Sequence, residues 1–205
     1  MTTDLPPTPR GQNTRLEILR AAHALFLTKG YHGTSMRMIS REVGIALGGI
    51  YNHFNSKEAI FRSVLIESHP YREILPALAS AHHDDIEALL RQAWTLIDDS
   101  LNNRPDLINL IFIEQVEFHS RHMPELLNLI LPQVGSILTR FSESGEGLRP
   151  YPLPIILRSF IATALGYFLT RNALGEDTPP EFRENAFEHF IDIYLHGILI
   201  PEPNP

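Results

Sequence analysis

"TSMRMISREVGIALGGIYNHFNSKE", Thr34 to Glu58, is the stretch that decides the fold of this chain. It reads as two short helices joined by a turn, with a further helix opening at its end. Thr34 or Ser35 can cap the first helix, whose apolar stripe is Met36, Ile39 and Val43. Gly44 ends it and suits a turn position of positive φ. A short segment from Ala46 to about His53 follows, and then Asn55-Ser56-Lys57-Glu58 opens a helix carrying Ile60, Phe61, Val64 and Leu65. Gly48-Gly49 stands where the second short helix begins, although a glycine inside a helix costs about 1 kcal/mol relative to alanine. Two short helices around a glycine turn form a helix-turn-helix unit, whose second helix can enter the DNA major groove. On that reading the glycines let the first turn approach phosphates and base edges, where free backbone N–H groups favour phosphate. Close helix–helix packing is the other reading of the same pair.

Outward from this stretch the whole chain reads as all-α. On the N-terminal side, Ile18, Leu19, Ala22, Leu25 and Phe26 share one helical face, with Asn13 or Thr14 as cap and Gly30 as stop. Residues 1–12, rich in Pro and Thr, read as a disordered arm. On the other side, Pro70 and Pro76 predict that the fourth helix kinks or ends near His69. Helical segments then run from Asp84 to about Asn102, from Pro105 to about His119 and from Pro124 to Ser142. Ser142 to Pro154 reads as a loop. Two long segments, Ile155 to Leu174 and Glu181 to about Gly197, finish the chain before a PEPNP tail at 201–205. The expected domains are a DNA-binding one over 13–57 and a larger helical one over 58–200.

The 205 residues include 43% hydrophobic and 20% charged side chains, ordinary for a soluble globular protein. There is no cysteine, which excludes disulfides, thiolate catalysis and cysteine-held metals. The N-terminus has no apolar core of a secretory signal. The most apolar later stretch, Ser159 to Thr170, falls short of the roughly 20 residues that span a bilayer. A cytoplasmic location is expected. The net charge of −7 is unevenly spread, with +4 over residues 1–62 and −11 over the remainder. A basic end on an acidic body suggests that only the first part meets a polyanion. Within it, Thr34 and Ser35 can reach a phosphate, and Tyr51 and His53 offer a hydroxyl and a ring nitrogen. Lys57 is a cation in the first turn of a helix, an odd place by the helix dipole alone, and a nearby phosphate would account for it.

The pattern Ile18-Leu19-x-Ala21-Ala22-x-x-Leu25-Phe26, Gly30-Tyr31-x-x-Thr34-Ser35 and Ile39-Ser40-x-x-Val43-Gly44-Ile45-Ala46-x-Gly48-x-Ile50-Tyr51-x-His53-Phe54-x-Ser56-Lys57-Glu58 resembles the DNA-binding domain of the TetR family of bacterial transcriptional regulators. The resemblance covers roughly residues 13–65. It implies a homodimer that binds double-stranded operator DNA through its N-terminal domain and a small molecule through its C-terminal domain. Phosphate or sugar contacts would fall on Thr34, Ser35, Tyr51, His53 and Lys57, with Leu47, Gly48 and Asn52 facing the groove. Ala46 and Leu47 depart from the family's usual hydroxyl and long polar residues, so the recognition helix has no arginine or lysine to read guanine. Asn52, Leu47 against a thymine methyl, and Arg37 remain as readers, and DNA shape would carry part of the specificity.

For the dimer, the resemblance points to a four-helix bundle from the last two long helices. Phe187, Phe190, Ile191, Tyr194, Leu195 and Ile198 form an apolar face on one, and Leu157, Phe160, Ile161, Ala164, Leu165 and Phe168 on the other. Periodicity alone reads equally as intramolecular core. Trp94, Phe112, Gln115, Phe118, His119 and Phe168 are candidates for an apolar or aromatic ligand pocket, and Glu114 and Glu117 could meet a cation. His82-His83 and His119/His122 lack a partner constellation, so neither a metal nor a cofactor is expected. The expected function is a ligand-responsive repressor of a palindromic operator, released by a small apolar or aromatic compound. A low-specificity DNA-binding protein without ligand response is the alternative. An enzyme is not expected, because no nucleophile triad, phosphate loop or metal-hydrolase motif is present.

Overall fold

Helix signals in the sequence become ten α-helices in the computed structural model, which describes residues 9–80, 85–142, 148–174 and 178–198. They are α1 (Pro9–Gly33), α2 (Met36–Val43), α3 (Leu47–Tyr51), α4 (Lys57–Ser68), α5 (Tyr71–Ser80), α6 (Ile86–Asn103), α7 (Asp106–Phe118), α8 (Met123–Ser142), α9 (Leu153–Ala173) and α10 (Ala186–Ile198), with a 3-10 turn at Pro180–Phe182. Among the described residues there is no strand, so the all-α class holds. Residues 1–8, His82-His83 and the tail at 201–205 lie outside the described residues.

Three boundaries differ from the sequence expectation, one of them the start of α10 at Ala186 rather than Glu181. Helix α1 begins at Pro9 rather than at an Asn13 cap, since proline is tolerated in the first turn where its missing N–H has no partner to lose. At Gly30 (φ 72°, ψ 172°) the chain leaves helical geometry before a last turn to Gly33. At His69 the alternative of kink or end is resolved as an end. His69 is extended (φ −72°, ψ 131°), the conformation that a following proline enforces. Pro70 then starts α5, its carbonyl accepting from Glu73 N (2.9 Å) and Ile74 N (3.0 Å).

The chain divides into two units, one of residues 1–69 with 105–126 and one of 70–104 with 127–205. The first unit is larger than the 13–57 segment that carries the motif, because α4 and α7 belong to it. Ile18, Ala22 and Phe26 of α1, Ile39 of α2, Ile50 of α3, Ile60, Phe61 and Leu65 of α4 and Leu110 of α7 are fully buried together. Each of these Ile, Leu and Phe side chains stabilises by roughly 1.5–3 kcal/mol relative to exposure. Phe118 stacks on Phe61 at 4.9 Å and meets Tyr31 edge-on at 4.7 Å. His23 pairs with Asp106 and His32 with Glu117, tying α1 to α7. The buried Glu114 carboxylate accepts from the His122 backbone N (2.7 Å) and faces its Nδ1 (2.8 Å), which locks the turn after α7. Glu114 and Glu117 thus face histidines of the chain itself, His122 and His32.

In the second unit, α6 packs on α5, α9 and α10, with Trp94 buried at its centre. Arg91 ties α6 to α10 through Glu188 and Asp192, and Arg171 ties α9 to Asp98 of α6. Helix α9 corrects the expectation from the Ser159–Thr170 stretch. Its 21 residues are by length and composition sufficient to cross a membrane, because apolar residues continue on both sides of that stretch.

Candidate nucleic-acid interface

The helix-turn-helix is fixed by a cap at each joint. Ser35 is extended and its hydroxyl accepts from Met38 N at 3.2 Å, opening α2. Gly44 closes α2 in the left-handed region (φ 77°, ψ 26°), its N–H donating to Arg41 O while Ile45 N reaches Ser40 O at 3.0 Å. This paired closure satisfies the last carbonyls of α2 and needs a residue without a Cβ penalty. Ile39 and Ile50 hold the inner faces of α2 and α3 at zero exposure. Ser56 then caps α4 by accepting from Ala59 N at 3.0 Å.

The outer face of the unit carries Ser35, Arg37, Arg41, Ala46, Gly48, Tyr51 and Asn52, all exposed, with Leu47 and His53 half-buried beside them. Among the described residues, the side chains of Arg37, Arg41, Tyr51 and Asn52 have no intramolecular partner. Arg15 instead binds Glu67 and lies over the Phe54 ring, and Arg62 pairs with Glu125. Arg37 and Arg41, one turn apart on α2, are therefore the unpaired cations beside the recognition helix. Arg41 was not singled out by sequence reasoning; its i+4 spacing from Arg37 was the available signal.

The two glycines of α3 now separate. A Cβ at Gly48 would meet nothing within 4 Å, and its φ is not in the left-handed region. Neither packing nor backbone geometry requires glycine there. A Cβ at Gly49 would touch Ile45 at 3.6 Å, ordinary van der Waals contact. The close-packing reading therefore fails at Gly48, where the position opens to solvent.

Two expected phosphate contacts are held inside the protein. Thr34 is 2% exposed, and its hydroxyl lies 3.1 Å from Leu25 O and 2.9 Å from Gly30 O. Its backbone N donates to Tyr31 O at 3.2 Å. Thr34 thus closes the end of α1, and neither its hydroxyl nor its amide is free for a phosphate. Lys57 donates to Tyr31 O (2.6 Å) and Thr34 O (2.7 Å), with its ammonium 4.0 Å from the Tyr31 ring centroid. The carbonyls at the end of α1 account for its place at the start of α4. Two of its three N–H groups are engaged, leaving one for an external anion. Partial burial lowers its pKa below the usual lysine value, against an opposing effect of the Glu117 charge.

Residues 18–64, the span that builds this caped three-helix arrangement, match the family model "Bacterial regulatory proteins, tetR family". Residues 18–64 are a TetR-type DNA-binding domain. The HTH-type transcriptional repressor AcnR of Corynebacterium diphtheriae is 26% identical to this chain over 196 residues, spanning 93% of it and 94% of the repressor. A structure described as a tetR family transcription regulator from Shewanella sp. PV-4 superposes with a TM-score of 0.66 at 22% identity, covering 92% of this chain and 99% of its own. NalD, the secondary repressor of the MexAB-OprM multidrug efflux pump in Pseudomonas aeruginosa, superposes at 0.62 with 23% identity, covering 92% and 98%. The two structural likenesses establish a shared fold. Two further relatives, YfiR and YvkB of Bacillus subtilis, 26% and 24% identical over 78% and 90% of this chain, are named as HTH-type transcriptional regulators.

The remaining expected site residues fall in both units. Of the pocket candidates, Phe112, Gln115 and His119 are exposed and Phe118 is core in the first unit, while Trp94 and Phe168 are buried in the second. Of the dimer candidates, Phe160, Ala164, Ile191, Tyr194, Leu195 and Ile198 are buried within the chain itself, a correction to their expected place at an interface. Leu157, Phe187 and Phe190 are half-buried, and Ile161 is exposed. The apolar side chains left open on these helices include Ile155, Ile161, Ala162 and Leu169 of α9 and Ile193 of α10. Ile155, Ala162 and Leu169 are spaced by seven and form one stripe.

Proposed function

We propose that this chain is a sequence-specific transcriptional repressor of the TetR family that binds a palindromic operator as a homodimer and releases it on binding a small apolar or aromatic molecule. The observation that carries the DNA reading is Gly48: a glycine in the first turn of the recognition helix that neither packing nor φ requires, flanked by exposed Tyr51 and Asn52. Ser35, Arg37, Arg41, Tyr51, His53 and the free N–H of Lys57 serve as backbone contacts. Ala46, Leu47, Gly48 and Asn52 face the groove, and so few polar groups leave much of the specificity to DNA shape.

The dimer reading is supported by the open stripe of α9 with Ile193, whose side chain is 73% exposed. An apolar stripe left open on a long helix marks an interaction surface. Two copies brought together on a two-fold axis would bury it and pair two recognition helices with two half-sites. Arg37→Ala and Arg41→Ala test the DNA reading by titration of a labelled duplex over a range of salt. Each is expected to weaken binding on all sequences and to reduce the salt slope by about 1. Unchanged affinity and slope in both would refute these contacts.

A further inference from the structure

Trp94 is 1% exposed, and its indole Nε1 is buried without a hydrogen-bond partner. The aromatic groups around it are Phe160 at 5.8 Å and Tyr167 at 6.0 Å from α9, and Phe187 at 6.1 Å from α10. The neighbouring Tyr194 hydroxyl, by contrast, donates to Ile156 O at 2.9 Å. A buried donor without an acceptor is destabilising, and phenylalanine would fill an apolar site without that penalty.

Phe187 is the one ring of this group that is not buried, since Phe160 and Tyr167 both are. It is half-buried and lies in the first turn of α10, directly after Asn185 in the left-handed region (φ 55°). A first helical turn lacks internal partners for its N–H groups and opens more easily than the helix interior. The cations nearest in sequence and fold are already neutralised: Arg91 by Glu87, Glu188 and Asp192, and Arg171 by Asp98. The other arginine of these helices, Arg158 of α9, is exposed, whereas Trp94 is buried, so the group around Trp94 favours a neutral ligand.

We propose that Trp94 is the hydrogen-bond donor of an effector site between α6, α9 and α10, opened by withdrawal of Phe187, which takes a neutral planar aromatic carrying a carbonyl or ring-nitrogen acceptor. The proposal deepens the ligand-responsive reading above and rests on it. A site that hydrogen-bonds its ligand rejects the analogue lacking the acceptor, because its own donor is again left unpaired.

The test uses the purified full chain with 1-indanone and indane, which differ by one carbonyl. Trp94 is the single tryptophan, so its emission reports occupancy directly. Calorimetry on wild type should give about tenfold tighter binding of 1-indanone than of indane, with a change in Trp94 emission. In Trp94→Phe, with folding checked by circular dichroism, the two should bind equally. Equal binding by wild type, binding of neither probe, or discrimination that survives in Trp94→Phe overturns the proposal. Release of operator DNA is scored separately. Discriminating binding without release leaves the site standing and contradicts the ligand-response reading. Release by another compound, with no discrimination between these two, does the reverse.

Discussion

Replacing Gly48 by alanine separates stability from DNA binding. The added Cβ meets nothing within 4 Å and the backbone is not left-handed, so the folded protein accommodates it without strain. Alanine is the better helix former by up to about 1 kcal/mol, so stability to denaturant should stay equal or rise by that amount. At a DNA contact the same carbon stands about 1.5 Å beyond Cα. A backbone hydrogen bond of about 2.9 Å cannot survive a separation of that size. Loss of one hydrogen bond to a charged acceptor is worth roughly 1.5–3 kcal/mol, so affinity per recognition helix should fall at least about tenfold. Gly49→Ala is the matched control, since its Cβ would touch Ile45 at 3.6 Å inside the protein. It should leave DNA affinity unchanged. Fluorescence anisotropy on a labelled duplex and chemical unfolding at fixed protein concentration measure both quantities. A Gly48→Ala protein that binds DNA like wild type, or one that loses stability, would refute the reasoning.

Other outcomes follow from the same geometry. Lys57→Ala removes the donor to Tyr31 O and Thr34 O and should cost about 2 kcal/mol in chemical denaturation; a neutral result would show that those contacts are dispensable. Ile193→Asp places a charge in the open α9/α10 face and should weaken dimerisation by at least about a hundredfold in sedimentation equilibrium, with the helical signal retained. An unchanged dimer would remove Ile193 from the interface. His69 is lowered by burial to about 4, so it is neutral when folded, and the unfolded chain takes up its proton first as pH falls. Its contribution is present above the ordinary value of 6.5 and is lost progressively as pH falls through 6.5 towards 4. The loss between pH 7 and pH 5 should be about 2 kcal/mol larger in wild type than in His69→Gln, measured by urea midpoint. Equal losses in the two proteins would count against a neutral, half-buried His69.

The legible parts of this chain were those fixed by local chemistry. Ser35 as a cap, Gly44 as a left-handed stop and Ser56 at the head of α4 each depend on residues a few positions away. The roles of Thr34 and Lys57 were not legible, because their carbonyl partners are set by tertiary packing; Lys57 reaches Tyr31 across 26 positions. Helix α9 hid its orientation for a different reason. It is apolar nearly all round, so periodicity cannot say whether Phe160 and Ala164 or Ile155 and Leu169 face the core. The structure buries the first pair and leaves the second open. The unpartnered Trp94 N–H was equally invisible, since the sequence shows an aromatic residue but not what its nitrogen meets.

Selection of bound duplexes from a random DNA pool with the purified protein, followed by sequencing, tests the central claim most directly. An enriched inverted repeat is the expected result, with two half-sites read by the two recognition helices of a dimer. Salt-sensitive binding with no enriched sequence would contradict it, leaving α3 as a device that grips the DNA backbone and reads nothing.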